Sequence, residues 1–329
     1  MPLQRHAIRE VTPGEVGPFE MDAREVSEVL EGLAESQARV SPKYLYDPLG
    51  SRLFEAITDL PEYYPTRTEG AIFQAHIGSI VRAVGEQGTL IELGAGNGEK
   101  AAALFDAFLP AQYVAIDISA VFLEGAVKAL KRAHPALSIV GAPSDITAGL
   151  RLPSSVKAHR RLFMYLGSSI GNFDPEDALR ILKDVRRHCD SEGGLLIGVD
   201  LVKDVSILEA AYYDGLGVTA AFNLNLLNHL NGLVGTNFNL RDWRHRARFN
   251  ASRSRVEMHL EARRDVLVAW PGGSRRFEEG ETIHTENSYK YRLEDFRRLI
   301  ERAGFGDVKA WTDDRNWFGV FHARAVGPR

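Results

Sequence analysis

The chain has 329 residues, 44% apolar and 26% charged, the make-up of a globular protein of one large or two intimate domains. A formal net charge of −4 gives no electrostatic footing for nucleic acid or an anionic membrane as partner. A single cysteine, Cys189, excludes an internal disulfide and a cysteine-rich metal site. No apolar run approaches the ~20 residues of a membrane helix.

Residues 1–19 carry Pro2, Pro13 and Pro18 but no apolar stretch of a signal peptide, so a loose lead-in to a cytoplasmic protein is expected. Val26, Val29, Leu30 and Leu33 recur at helical spacing between Asp22 and Ala38. Ser41–Arg67 is punctuated by four prolines and carries Tyr44, Tyr46, Tyr63 and Tyr64, which reads as an ordered loop with a short helix at Ser51–Thr58. A helix is expected over Arg67–Val84. Then strands at Thr89–Leu93, Tyr113–Ile116, Leu137–Val140, Arg161–Leu166 and Gly194–Val199 alternate with helices at Glu99–Phe108, Val121–Ala133 and Asp174–His188. Buried β-rich runs alternating with amphipathic helices imply a parallel, doubly wound α/β sheet, which takes its ligands at the carboxyl ends of its strands.

From Lys203 the rhythm changes. Helices at Ser206–Tyr213 and Val218–Asn231 lead to a hairpin of Trp243–Phe249 and Arg255–Arg263, with Val256, Met258 and Leu260 on one face. The α/β pattern resumes with a helix at Leu293–Ala303 and strands at Asp307–Thr312 and Trp317–Ala325. Residues 68–202 with 289–329 therefore read as one interrupted domain, and 20–67 with 203–288 as an inserted α+β domain.

The first strand runs through Glu92 into Gly94-Ala95-Gly96-Asn97-Gly98-Glu99-Lys100 and a helix. Gly94 and Gly96 permit a sharp turn close to a ligand. A dinucleotide fingerprint would want a glycine where Glu99 stands, and its pyrophosphate would meet the carboxylates of Glu92 and Glu99. An acidic residue two positions before the first glycine instead resembles the first motif of class I S-adenosylmethionine-dependent methyltransferases, where negative charge suits a sulfonium and an ammonium. Asp117, closing the second strand, can accept both ribose hydroxyls. Asp145 and Ile146 follow the third strand, where that fold holds adenine. The helix and hairpin at the C-terminus are also how the seven-stranded, Rossmann-like methyltransferase sheet ends.

Longer strings are more specific: Ser41–Asp47, Leu60–Glu69, Leu166–Asn172, Gly198–Asp204, Gly217–Asn223 and Thr285–Tyr291. Through them the chain resembles the L-histidine Nα-methyltransferases of ergothioneine biosynthesis, from about Ser41 onward. The resemblance implies a methyltransferase sheet with a substrate-binding domain, S-adenosylmethionine as methyl donor, stepwise conversion of histidine to its trimethylated form, and a monomer. It places cofactor contacts on Gly94, Lys100, Asp117, Asp145 and Ile146. Substrate contacts fall on Tyr63, Asn172, Tyr212, Glu286, Asn287 and Ser288, with Tyr46, Gly167 and Met258 close by.

Those side chains suit histidine. Asn172 and Tyr212 offer neutral donors to a carboxylate, Glu286 can accept from a ring N–H, and Ser288 can serve the other nitrogen in either sense. Catalysis is expected to be positioning, by Tyr46, Gly167 and Asn172, with no obligatory base; tyrosine faces tolerate the methylated cation. Structural alternatives stand beside these roles: Tyr63 and Tyr64 as loop anchors, Asn172 as a helix cap, Met258 as core filler. A tryptophan-like or arginine-like substrate is the alternative within the family, and a non-catalytic cofactor-binding protein the alternative outside it. The histidines show no metal-ligand spacing, and no metal is expected.

Overall fold

A computed structural model describes residues 23–86 and 88–326, so the expected lead-in of residues 1–19 lies outside the described residues. Twelve strands follow in chain order among them: β1 Thr89–Leu93, β2 Gln112–Asp117, β3 Ser138–Pro143, β4 Arg161–Tyr165, β5 Gly194–Asp200, β6 Trp243–Asn250, β7 Arg255–Ala262, β8 Val266–Trp270, β9 Gly273–Phe277, β10 Thr282–Tyr289, β11 Gly306–Thr312 and β12 Phe318–Arg324. The chain divides into two compact units. One is built on Arg67–Leu201 and the segment from Tyr291, the other on the segment up to Thr66 and Val202–Lys290.

The first unit holds a seven-stranded sheet in the order β11-β12-β5-β4-β1-β2-β3. β1 to β5 are parallel, and β12 alone runs antiparallel to both its neighbours. This is the expected class I methyltransferase sheet. β1 is buried throughout because both its faces are covered, which is why it reads as apolar apart from Thr89 and Glu92. Leu90, Tyr113, Leu123, Val127, Leu162 and Met164 form the core on one side of it. Leu201 and Tyr291, where the second unit's long segment departs and returns, form a bridge, and the Tyr291 N–H donates to the Asp200 carbonyl at 3.0 Å.

The second unit carries a three-stranded antiparallel sheet, β10-β7-β6, and a separate two-stranded β8-β9 hairpin. The helix Val218–Val234 lies on the three-stranded sheet. Its fully buried Asn223 donates to the His259 carbonyl at 3.0 Å and accepts from the Thr285 hydroxyl at 2.7 Å, satisfying polar groups that would otherwise be costly to bury. The helix Pro48–Thr58 is capped by Asp47, whose Oδ1 accepts from the Gly50 N–H and from Asn225, both at 2.7 Å.

Three expectations change. The helix Glu99–Phe108 is two single turns, Glu99–Ala102 and Phe105–Phe108. The break turns Leu104, Phe105 and Phe108 together into the core, with Phe105 edge-on to Tyr113 at 5.0 Å. The helix starting at Arg67 begins at Tyr64, since Pro65 is tolerated in a first turn. β8 and β9 were not expected. No described helix is long and apolar enough to cross a membrane.

Candidate active site

In the first unit the chain leaves β1 through three glycines in the left-handed region, Gly94, Gly96 and Gly98. At Gly98 an added Cβ would also stand 2.7 Å from a terminal methyl of Leu130, which would have to move aside. The turn is tied to the next strand by Asp117. One carboxylate oxygen accepts from the Gly96 N–H and the other from the Ser119 N–H, both at 2.9 Å. Burial raises the Asp117 carboxyl and these N–H groups hold it down, so the aspartate sits where a diol could complete its shell. The Ser144 N–H at the end of β3 donates to the Asp117 carbonyl at 2.9 Å, and Asp145 next to it accepts from the Thr147 N–H and hydroxyl, starting the turn Ile146–Ala148.

Glu92 is fully buried and accepts from the Tyr113 hydroxyl at 2.5 Å. Burial pushes its carboxyl up to about 8, against the pull of Tyr113 and Lys100. A neighbouring cation would favour its ionised form and oppose that rise.

Lys100 leads to a residue with no role assigned from sequence. Its ammonium pairs at 3.0 Å with Glu69, which is 2% exposed. The other Glu69 oxygen accepts the Gly167 N–H at 2.8 Å. Two glycines make room for this ion pair: a Cβ on Gly198 of β5 would lie 2.0 Å from Glu69 Oε1, and one on Gly167 would lie 2.7 Å from Lys100 Nζ. Past β4, Gly167 and Ser168 are both left-handed, at φ 75° and 62°; the strain falls on Ser168, the non-glycine of the two, and such strain is of the kind that binding sites retain. The Ser168 hydroxyl accepts the Asp200 N–H at 2.9 Å. Asn172 ends the 3₁₀ turn that follows. The helix beyond begins at Pro175 with Asp174 at its N-cap.

In the second unit Tyr46, Phe54, Tyr63 and Phe222 form an aromatic cluster with centroids 5.6–6.2 Å apart. The Tyr46 hydroxyl points at Glu286 Oε1, 3.5 Å away. Glu286 pairs across the sheet with Met258, and Ser288 with Val256, so these four side chains share the face of β7 that carries Leu260. Asn287 lies between them on the opposite face and is not brought together with them. Burial lifts the Glu286 carboxyl to about 7, with Lys290 and Tyr46 opposing. Tyr212 is buried, and its hydroxyl accepts from Lys290. Tyr64, the first residue of its helix, takes a 2.8 Å bond on its hydroxyl from Lys203.

Acidic groups thus close successive strands of the first unit, which fits a cationic methyl donor with a ribose better than a pyrophosphate. Residues 25–325 match the profile of the family described as histidine-specific methyltransferase, SAM-dependent. The chain belongs to that family. Among its relatives, the histidine N-alpha-methyltransferase of Mycolicibacterium smegmatis is 37% identical, covering 89% of this chain and 92% of that protein. The histidine N-alpha-methyltransferase of Mycobacterium tuberculosis is also 37% identical over the same shares. Ergothioneine biosynthesis protein 1 of Neurospora crassa is 31% identical over 82% of this chain and 31% of its own length. As a member of the family the chain is an S-adenosylmethionine-dependent methyltransferase.

Glu69 and the aromatic pair Phe54 and Phe222 went unread in the sequence. Glu69 stood inside the string Leu60–Glu69, but a single carboxylate on a helix carries no mark of burial.

Proposed function

We propose that the protein methylates the α-amine of L-histidine, stepwise to the N,N,N-trimethylated product, as a step in ergothioneine biosynthesis. The observation that carries this reading is the buried Glu286 beside Ser288 on one face of β10, a carboxylate and a hydroxyl suited to the two unlike nitrogens of an imidazole. The names of its relatives support the same substrate and pathway.

When bound, S-adenosylmethionine supplies an electrophilic methyl group. We assign Asp117 to its ribose, Asp145 and Ile146 to its adenine, and Gly94, Gly96, Glu92 and Lys100 to its amino-acid end. We assign the Tyr212 hydroxyl of the second unit to the carboxylate of the substrate, and keep Asn172 of the first unit as a substrate contact on the resemblance alone. Tyr46 and Tyr63 present ring faces to an amine that becomes a permanent cation, worth about 0.5–2 kcal/mol where water is excluded. Their task is to orient the amine rather than to form covalent bonds. A monomer in the cytoplasm is the setting we assign.

The test is direct. Purified protein is incubated with S-adenosylmethionine and each of the twenty amino acids, and the products are weighed by mass spectrometry. Mass shifts of one to three methyls on histidine are expected. Methylation of tryptophan or arginine with histidine untouched would refute the substrate.

A further inference from the structure

Lys290 follows β10 directly and continues its alternation, so residues 286, 288 and 290 project to one side. It is 3% exposed, a rare state for a lysine. Its ammonium donates to the Ser288 hydroxyl at 2.8 Å and to the Tyr212 hydroxyl at 3.1 Å, and stands 5.0 Å from the centre of the Tyr212 ring. Burying an ammonium is expensive unless its hydrogens and its charge are both answered, and the Glu286 carboxylate lies within its field.

The direction of these hydrogen bonds supplies a reason. An ammonium is a donor only, so each hydroxyl commits an oxygen lone pair to Lys290 and turns its own hydrogen elsewhere. A serine hydroxyl left alone would rotate to donate or to accept. We infer that Lys290 is a specificity-determining residue that holds the Ser288 hydroxyl as a donor, so that Glu286 and Ser288 together recognise a ring with one N–H and one bare nitrogen. This rests on the substrate reading above and deepens it.

A neutral imidazole satisfies both groups at once and is held in a single tautomer. An indole brings an N–H but no second nitrogen, and a guanidinium brings only donors. Either leaves the Ser288 hydrogen buried without an acceptor, a defect of roughly ten- to hundredfold in affinity. Glu286 alone does not reject an indole; the Lys290–Ser288 pair does.

The experiment compares histidine with pyrrolyl-alanine, which keeps a ring N–H but has a C–H in place of the bare nitrogen. Affinities are measured by calorimetry on the full chain for wild type, Lys290→Met, Ser288→Ala and the double variant. Wild type is expected to prefer histidine roughly ten- to hundredfold. Lys290→Met and Ser288→Ala should each cut that preference at least fivefold, and the double variant should cut it no further, because the lysine acts through the serine. Lys290→Arg, which keeps a donor-only cation, should restore part of it. A preference unchanged in Ser288→Ala overturns the inference even if Lys290→Met fails to fold, and so does full additivity in the double variant. Wild type that binds and methylates another amino acid but not histidine removes the substrate reading itself, an outcome distinct from the other two.

Discussion

Replacing Glu286 by glutamine keeps the shape of the side chain and removes its charge. The carboxyl is buried and lifted to about 7, so it is about nine-tenths ionised at pH 8 and about one-tenth at pH 6. An ionised carboxylate accepting a ring N–H contributes about 1.5–3 kcal/mol, and an amide oxygen about 0.5–1.5 kcal/mol. The difference predicts that Glu286→Gln loses roughly five- to tenfold in kcat/KM for histidine at pH 8. At pH 6 the wild-type group is itself mostly neutral, and the two enzymes should agree within about twofold. Taking the ratio cancels the titration of free histidine, so initial rates at low histidine from pH 6 to 8.5 suffice.

Stability should run the other way. Between its ordinary value of 4.5 and about 7 the folded protein keeps a proton on Glu286 that the unfolded chain has released. Stability therefore falls as pH rises through that window, by about 3 kcal/mol in total, and the glutamine variant escapes that loss. Glu286→Gln should thus gain on wild type in thermal stability from pH 4 to pH 8 while falling behind in efficiency. A rate ratio flat in pH, or a wild type that gains stability on the variant as pH rises, would refute the reasoning.

Asp117→Ala removes the acceptor proposed for the ribose and the tether of the Gly96 N–H; cofactor affinity by calorimetry should weaken roughly hundredfold, and normal affinity would take Asp117 out of that role. Gly198→Ala drives a Cβ to 2.0 Å from Glu69 Oε1 and 2.9 Å from the Phe318 ring, an overpacking expected to cost about 1–3 kcal/mol by denaturant unfolding. In a Glu69→Ala background the same change should cost at least about 1 kcal/mol less, since only the Phe318 contact remains; equal costs in both backgrounds would mean that Gly198 does not make room for Glu69.

The cofactor half was legible because its signals are local. A strand, a glycine turn and a helix follow one another in sequence, and the carboxylates that matter stand at strand ends where periodicity puts them. What stayed hidden depends on burial that only the tertiary fold creates. Glu69 and Lys290 are charged residues in polar stretches, and each looks like a solvated side chain until the chain closes over it. β8 and β9 escaped because they are half-exposed and lack clean alternation, although Pro271-Gly272 between them was a turn signal that could have been used. The expected helix Glu99–Phe108 failed for the opposite reason, since its pattern was helical throughout and the core broke it. Asn287 was grouped with its neighbours on resemblance, whereas the alternation of β10 turns it to the other face.

The second unit is sewn together from distant pieces of chain: Gln37 bonds the Thr282 carbonyl across 245 residues, and Asn225 reaches Asp47. On a ribosome adding roughly 5–20 residues per second, the early piece waits roughly 10–50 s for its partners to emerge. The cofactor sheet waits too, because β11 and β12 come last. Both units should therefore complete their folding only once nearly the whole chain has been made.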